Sequence, residues 1–242
     1  MSPQNPFLFC VTLAILLGAC SNTPAPPPVD PAVAAKATVE ANAAKELKLY
    51  DQMRASQSWD VATTLGNELL AKYPGTAAAA QVQQTLAEVR TKASNQADSR
   101  RLARLWAYNA VREAGGTQYT AAIASKPPLA GAGTHIRLVL RQHPQWGQSV
   151  YLLLDNVTFD CRKGCATLPV RFDDAKAERM KATIPPTGEP ALFIDDDKGF
   201  IAKMEKAHNV AIDVTIKNDG DKTIEFEVGG YAAAKLPNKP KQ

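Results

Sequence analysis

The stretch VAIDVTIKNDGDKTIEFEV, residues 210–228, decides the fold class. Val210, Ile212, Val214 and Ile216 alternate with Ala211, Asp213, Thr215 and Lys217. A period of two places one set on a core and the other toward water. Asn218-Asp219-Gly220-Asp221 then supplies residues that reverse a chain, and Ile224, Phe226 and Val228 resume the apolar alternation. The segment reads as a β-hairpin.

The same period recurs upstream, where Ile136, Leu138 and Leu140 alternate with Arg137, Val139 and Arg141. Further strands are expected over 118–125, 150–154, 166–172, 177–184 and 191–194. One short helix is expected between Asp197 and Asn209, because Phe200, Ile201 and Met204 repeat at helical spacing. These elements predict a mainly antiparallel, β-sandwich-like domain over 115–234. The polar, proline-containing end, 235–242, is expected to be disordered.

Residues 32–114 follow a helical period instead. Val33, Ala37, Ala41, Ala44, Leu47, Tyr50 and Met53 recur at spacings of three and four, which marks one helix face. A second helix is expected after Ser58, with Trp59, Ala62, Leu65, Leu69 and Tyr73 on its buried stripe, ending at Pro74-Gly75. Thr76 caps a third, along which Val82, Leu86, Val89 and Ala93 keep the period. The polar run from Ser94 to Arg101 predicts a kink or break before Leu102, Leu105 and Trp106. The fold class read from the sequence is therefore α+β, with the helices first. The stretch SWDVATTLGNELLAKYPGTAAAAQVQQTL resembles a tetratricopeptide-type helical hairpin of envelope-assembly lipoproteins, over about forty residues. Such a unit needs neighbours to bury its face, and Trp59 and Tyr73 are its candidate anchors, for packing or for a partner.

The amino terminus points to export. Phe7 to Leu17 is an apolar run, followed at once by Gly18-Ala19-Cys20, and a run of that length is a signal-peptide core, too short to span a bilayer. Met1 to Pro6 holds no Lys or Arg. Leu17-Gly18-Ala19-Cys20 resembles the lipobox of bacterial lipoproteins. The resemblance implies a signal peptide over 1–19, acylation of Cys20 and, with Ser21 following, sorting to the outer membrane. The segment 20–31 is rich in proline and reads as an extended tether, at about 3.1 Å per residue.

Of the four cysteines, Cys10 leaves with the signal peptide and Cys20 takes lipid. Cys161 and Cys165 remain, with Gly164 between them able to turn the chain. In an oxidising envelope they are expected to form a disulfide, which at this loop size stabilises a fold by roughly 2 kcal/mol on the chain-entropy model.

Motifs for chemistry are few. His135, His143 and His208 show no metal-ligand spacing, and neither a GxSxG elbow nor a phosphate-binding glycine loop is present. No catalytic residue, metal or cofactor is assigned. Asp195-Asp196-Asp197 departs from a calcium loop and suits the cap of the following helix. Residues 141–147, RQHPQWG, bring Arg141, His143 and Trp146 into one loop, a composition typical of recognition surfaces. The net charge of +4 is small and forms no basic stripe, so nucleic acid is not an expected partner.

Together these readings predict a non-enzymatic, lipid-anchored interaction or scaffold protein. It would face the periplasm from the outer membrane and hold another envelope protein. The alternative is a protein that binds or acts on cell-wall glycan, with the 141–147 loop facing the acidic residues near Asp195.

Overall fold

The computed structural model describes residues 30–126, 136–155, 157–161, 165–186 and 189–237. The signal peptide, Cys20, nearly all of the tether, His135 and residues 238–242 lie outside them. The chain is α+β: three amino-terminal helices, then an antiparallel nine-stranded sheet with one short helix.

The helices are α1 (Pro31–Ala55), α2 (Trp59–Lys72) and α3 (Ala77–Arg104). Pro31 opens α1 and Asp30 caps it by accepting from the amide of Ala32, so the helix begins inside the segment assigned to the tether. Their shared core holds Tyr50, Ala62, Leu69, Val82, Leu86 and Val89. Gly66 lets the helices approach closely, since a Cβ there would lie 2.9 Å from Leu86 and 3.0 Å from Tyr50. The expected stripe on α1 is only half used. Of that stripe Tyr50 is buried and Leu47 and Met53 are partly buried, whereas Val33, Ala37, Ala41 and Ala44 are exposed; the buried alanine is Ala43, off the expected face. Among the described residues no helix is long and apolar enough to cross a membrane.

Two features at the end of the helical region also differ from the sequence reading. α3 is continuous through Ser94–Arg101, because the polar side chains find partners: Arg100 pairs with Asp60 at 2.6 Å, and Arg101 pairs with Asp98 at 2.9 Å and Glu227 at 3.0 Å. Residues 106–113, placed in the helical region, form β1 (Trp106–Glu113). Pairing along β2 (Gly116–Ala124), from Trp106↔Ile123 to Glu113↔Gly116, holds them extended, with Trp106 and Tyr108 turned to the core.

The remaining strands are β3 (Arg137–His143), β4 (Gly147–Leu153), β5 (Thr167–Phe172), β6 (Glu178–Thr183), β7 (Ala191–Ile194), β8 (Val210–Ile216) and β9 (Gly220–Phe226). Their order is β1-β2-β3-β4-β7-β6-β5-β8-β9, antiparallel throughout. The expected sandwich of two stacked sheets is thus one curled sheet, a half-barrel. Its halves join through the short pairing Ala182↔Ile194 and Thr183↔Phe193, and the amide of Lys126, just past β2, donates to the Glu225 carbonyl on β9 at 2.7 Å. One apolar core lies inside the curl.

The decisive hairpin forms as read. Val210, Ile212, Val214, Ile216, Ile224, Phe226 and Val228 are all buried. Helix α4 (Asp197–Met204) is capped by Asp196, which accepts from the amide of Gly199 at 3.0 Å, and it buries Phe200 and Met204 in the same core. Lys235 and Leu236, assigned to a disordered tail, belong to the fold: Ala233–Lys235 is a turn of 3-10 helix and Leu236 packs into the core.

The end of α3 docks on the chain after β9. The indole of Trp106 donates to the Val228 carbonyl at 3.3 Å. A Cβ on Gly230 would fall 2.2 Å from the Leu102 carbonyl carbon, a contact only glycine permits. Arg101 clasps both carboxylate oxygens of Glu227 at 3.0 Å, and its hydrogen bonds hold that carboxyl below the ordinary range against the opposing effect of burial.

Candidate functional site

Two hairpin tips meet at one end of the sheet. The β1–β2 turn, with Gly115 at φ 93°, lies against the β3–β4 turn: a Cβ on Gly116 would sit 3.0 Å from Pro144, and one on Gly115 would sit 3.3 Å from Gln145. Arg137, Val139, Arg141 and His143 share the outer face of β3, opposite the core residues Leu138 and Leu140. Sequence reading placed Arg141, His143 and Trp146 in one loop. The structure brings them together but puts Arg141 and His143 on the strand, and only Trp146 in the turn.

His143 is the keystone of this arrangement. Its side chain is only 3% exposed. Nδ1 accepts from the amides of Gln145 and Trp146, at 3.1 and 3.2 Å, so the ring proton resides on Nε2, which donates to Glu113 Oε2 at 2.9 Å. The imidazole thereby holds the turn in shape. The Trp146 indole stacks on it, with centroids 3.8 Å apart and planes 11° apart. Trp146 is nevertheless 67% exposed, the most exposed large hydrophobic among the described residues.

Arg141 stands beside this stack. Its Nε donates to Ser149 Oγ at 3.1 Å. The guanidinium lies 5.5 Å from the Trp146 ring centre, 5.4 Å from Tyr151 and 6.0 Å from Phe193, distances at which cation and ring attract. The register explains the company: β3 pairs Val139 with Tyr151, and β4 pairs Tyr151 with Phe193. Those two rings are 4.9 Å apart. Burial pushes the Tyr151 phenol up, and the charges of Arg141 and Arg137 pull the other way.

Sequence reading missed Glu113, Ser149, Tyr151 and Phe193. Alternation along β4 and β7 could place Tyr151 and Phe193 on outer faces, but nothing local says that β7 lies beside β4.

The other candidate residues fall elsewhere. Cys161 and Cys165 are bonded to each other, between the segment that bridges β8 and the start of β5. Tyr73 is buried in the helical core with its hydroxyl donating to Glu46 at 3.1 Å, a packing role. Trp59 is half-buried under the Lys92 ammonium at 4.6 Å and lines a cleft of about 320 Å³ with Arg54 and Glu88. The three consecutive aspartates are engaged locally: Asp195 accepts from Thr183, Asp196 from the amide of Gly199 and Asp197 from that of Lys198. Among the described residues no group of three or more His, Cys, Asp or Glu could hold a metal ion.

A second open depression, about 520 Å³, lies over β5, β6, β8 and β9 and is lined by Thr167, Arg179, Asp213, Thr215, Asp221 and Thr223 among others. Its polar groups satisfy one another. Thr215 donates to Asp221 at 2.6 Å, Thr223 to Asp213 at 2.7 Å, and Arg179 to Thr167 at 2.7 Å.

No family model matches the chain, and no curated protein does. Among solved structures it is similar to invasion associated protein B from Bartonella henselae, at 14% identity and a TM-score of 0.38, over 54% of this chain and 87% of that one.

Proposed function

We propose that the chain is a non-enzymatic interaction module of the bacterial envelope, anchored by lipid on Cys20 to the outer membrane and facing the periplasm, and that the outer face of the β3–β4 hairpin is where it holds another envelope protein. One observation carries this reading: Trp146 is 67% exposed yet clamped, by a stack on an imidazole that is itself tied on both nitrogens. An exposed indole costs solvation, and a preorganised one loses little conformational entropy when a partner covers it. Trp and Arg are the residue types that most often dominate binding energy at protein interfaces. Cys20 is the only cysteine that follows both an apolar run and small residues.

Placing a photo-cross-linking residue at 146 in intact cells tests the site. A discrete adduct with one envelope protein is expected from position 146 and none from position 223, on the outer face of the β8–β9 hairpin. Equal adducts from both positions, or none, would remove the assignment. Cys20→Ser is expected to abolish fatty-acid labelling and release the protein from the outer-membrane fraction; continued labelling would refute the anchor.

A further inference from the structure

We propose that the partner is recognised through an acidic segment, with a carboxylate side chain seated on the Nη atoms of Arg141 and a neighbouring apolar side chain lying on the exposed part of the Trp146 ring. This rests on the binding-module reading above and names the chemistry of what is bound. Two arginines share the outer face of β3, and their different states carry the inference. Arg137 is committed to a carboxylate, its Nη2 on Asp155 at 2.6 Å, though its buried Nε has no partner. Arg141 is not: its Nε is taken by Ser149, and among the described residues no carboxylate pairs with its guanidinium. A half-buried cation among three rings has lost part of its hydration, and a charged acceptor reaching its terminal N–H groups would bind them more strongly than water does.

The geometry selects the ligand. The Ser149 bond and the surrounding rings fix the guanidinium plane, which leaves the Nη edge able to grip a planar carboxylate with two parallel hydrogen bonds. One face of the indole stacks on His143, and the ring, 67% exposed, still offers apolar area next to that cation. A carboxylate adjacent to an aliphatic or aromatic side chain satisfies both at once. A neutral sugar ring would use the apolar area and leave the charge unmatched.

The test uses the full-length lipidated protein in detergent micelles, with the indole N–H resonance of Trp146 followed by NMR and assigned through Trp146→Phe. The probes are the peptide acetyl-Gly-Leu-Asp-Leu-Gly-amide, its Asn counterpart, chitotetraose and inorganic phosphate. The Asp peptide is expected to shift the Trp146 signal saturably, and to bind at least about tenfold more tightly than the Asn peptide, the minimum for a charge-assisted pair. Arg141→Gln should bring the two peptides to equal, weak affinity, with the unfolding midpoint unchanged. Equal binding of the two peptides to the unaltered protein overturns the proposal without needing any variant, and so does a stronger response to chitotetraose or phosphate. If no peptide binds while position 146 still cross-links one envelope protein, the acidic chemistry is wrong and the site stands. If both fail, the site reading fails with it.

Discussion

The β3–β4 and β8–β9 hairpins share strand length and turn length but differ in turn conformation, with Asn218 at φ 67° in the second, and in what their outer faces carry. Each joins two seven-residue strands through a three-residue turn, closed by His143↔Gly147 in one and Ile216↔Gly220 in the other, and each closing glycine has φ 78°. Each buries an alternating apolar row in the one core. On β8–β9 the outer row is Asp213, Thr215, Asp221 and Thr223, short side chains that pair across the strands. On β3–β4 it is Arg141, His143, Ser149 and Tyr151, covered at the tip by Trp146. The inner rows stabilise both hairpins alike. The outer row of one closes its own hydrogen bonds, while the outer row of the other leaves a cation and much of an indole open.

The largest effect is expected from the shared inner side. Phe226→Ala, at a fully buried position, should cost about 3–5 kcal/mol in denaturant unfolding, the range for large-to-small changes in a core. A loss below about 1 kcal/mol would mean that the curled sheet does not pack as one core.

The turns provide the next test. Gly147→Ala and Gly220→Ala each force a Cβ into left-handed backbone, which costs about 1–2 kcal/mol. The space around Gly220 is open, so its cost is purely conformational. Similar losses at the two turns would show that the closing glycines play the same part in both hairpins. A much larger loss at Gly147 would show that the His143–Trp146 clamp depends on the exact turn geometry.

The smallest effect on stability is expected where the effect on binding is greatest. Trp146→Ala removes an exposed ring together with its stack on His143 and should change the unfolding free energy by about 1 kcal/mol or less, the worth of one aromatic pair. The same variant should lose the envelope partner in pull-down, while Thr223→Ala on the other hairpin keeps it. A Trp146→Ala protein that is strongly destabilised would make the indole part of the fold and erase the contrast between the hairpins.

Much of the fold was legible in local patterns. The alternation at 210–216 and 224–228, the three helices, the Thr76 cap, an aspartate cap on α4 and the short α4 itself follow from neighbouring residues, whereas Ser58, expected to cap α2, makes no side-chain cap bond. The other misreadings share one cause. Trp106–Glu113 is a strand because β2 pairs with it, and Ser94–Arg101 stays helical because Asp60 and Glu227 come from elsewhere to meet it. Leu236 belongs to the fold because it packs into the shared core. None of these partners is near in sequence.

The sequence by itself determined which faces are apolar, where turns fall and which residue types crowd the 141–147 segment, because side-chain periodicity and turn chemistry are local properties of a chain. Only the tertiary structure decided that β7 lies beside β4, that Glu113 reaches His143 across the neighbouring tip, and that Arg141 stands among Trp146, Tyr151 and Phe193 with its terminal nitrogens open. Strand order and register depend on contacts between residues tens of positions apart, and those are chosen by how the whole sheet closes over its core.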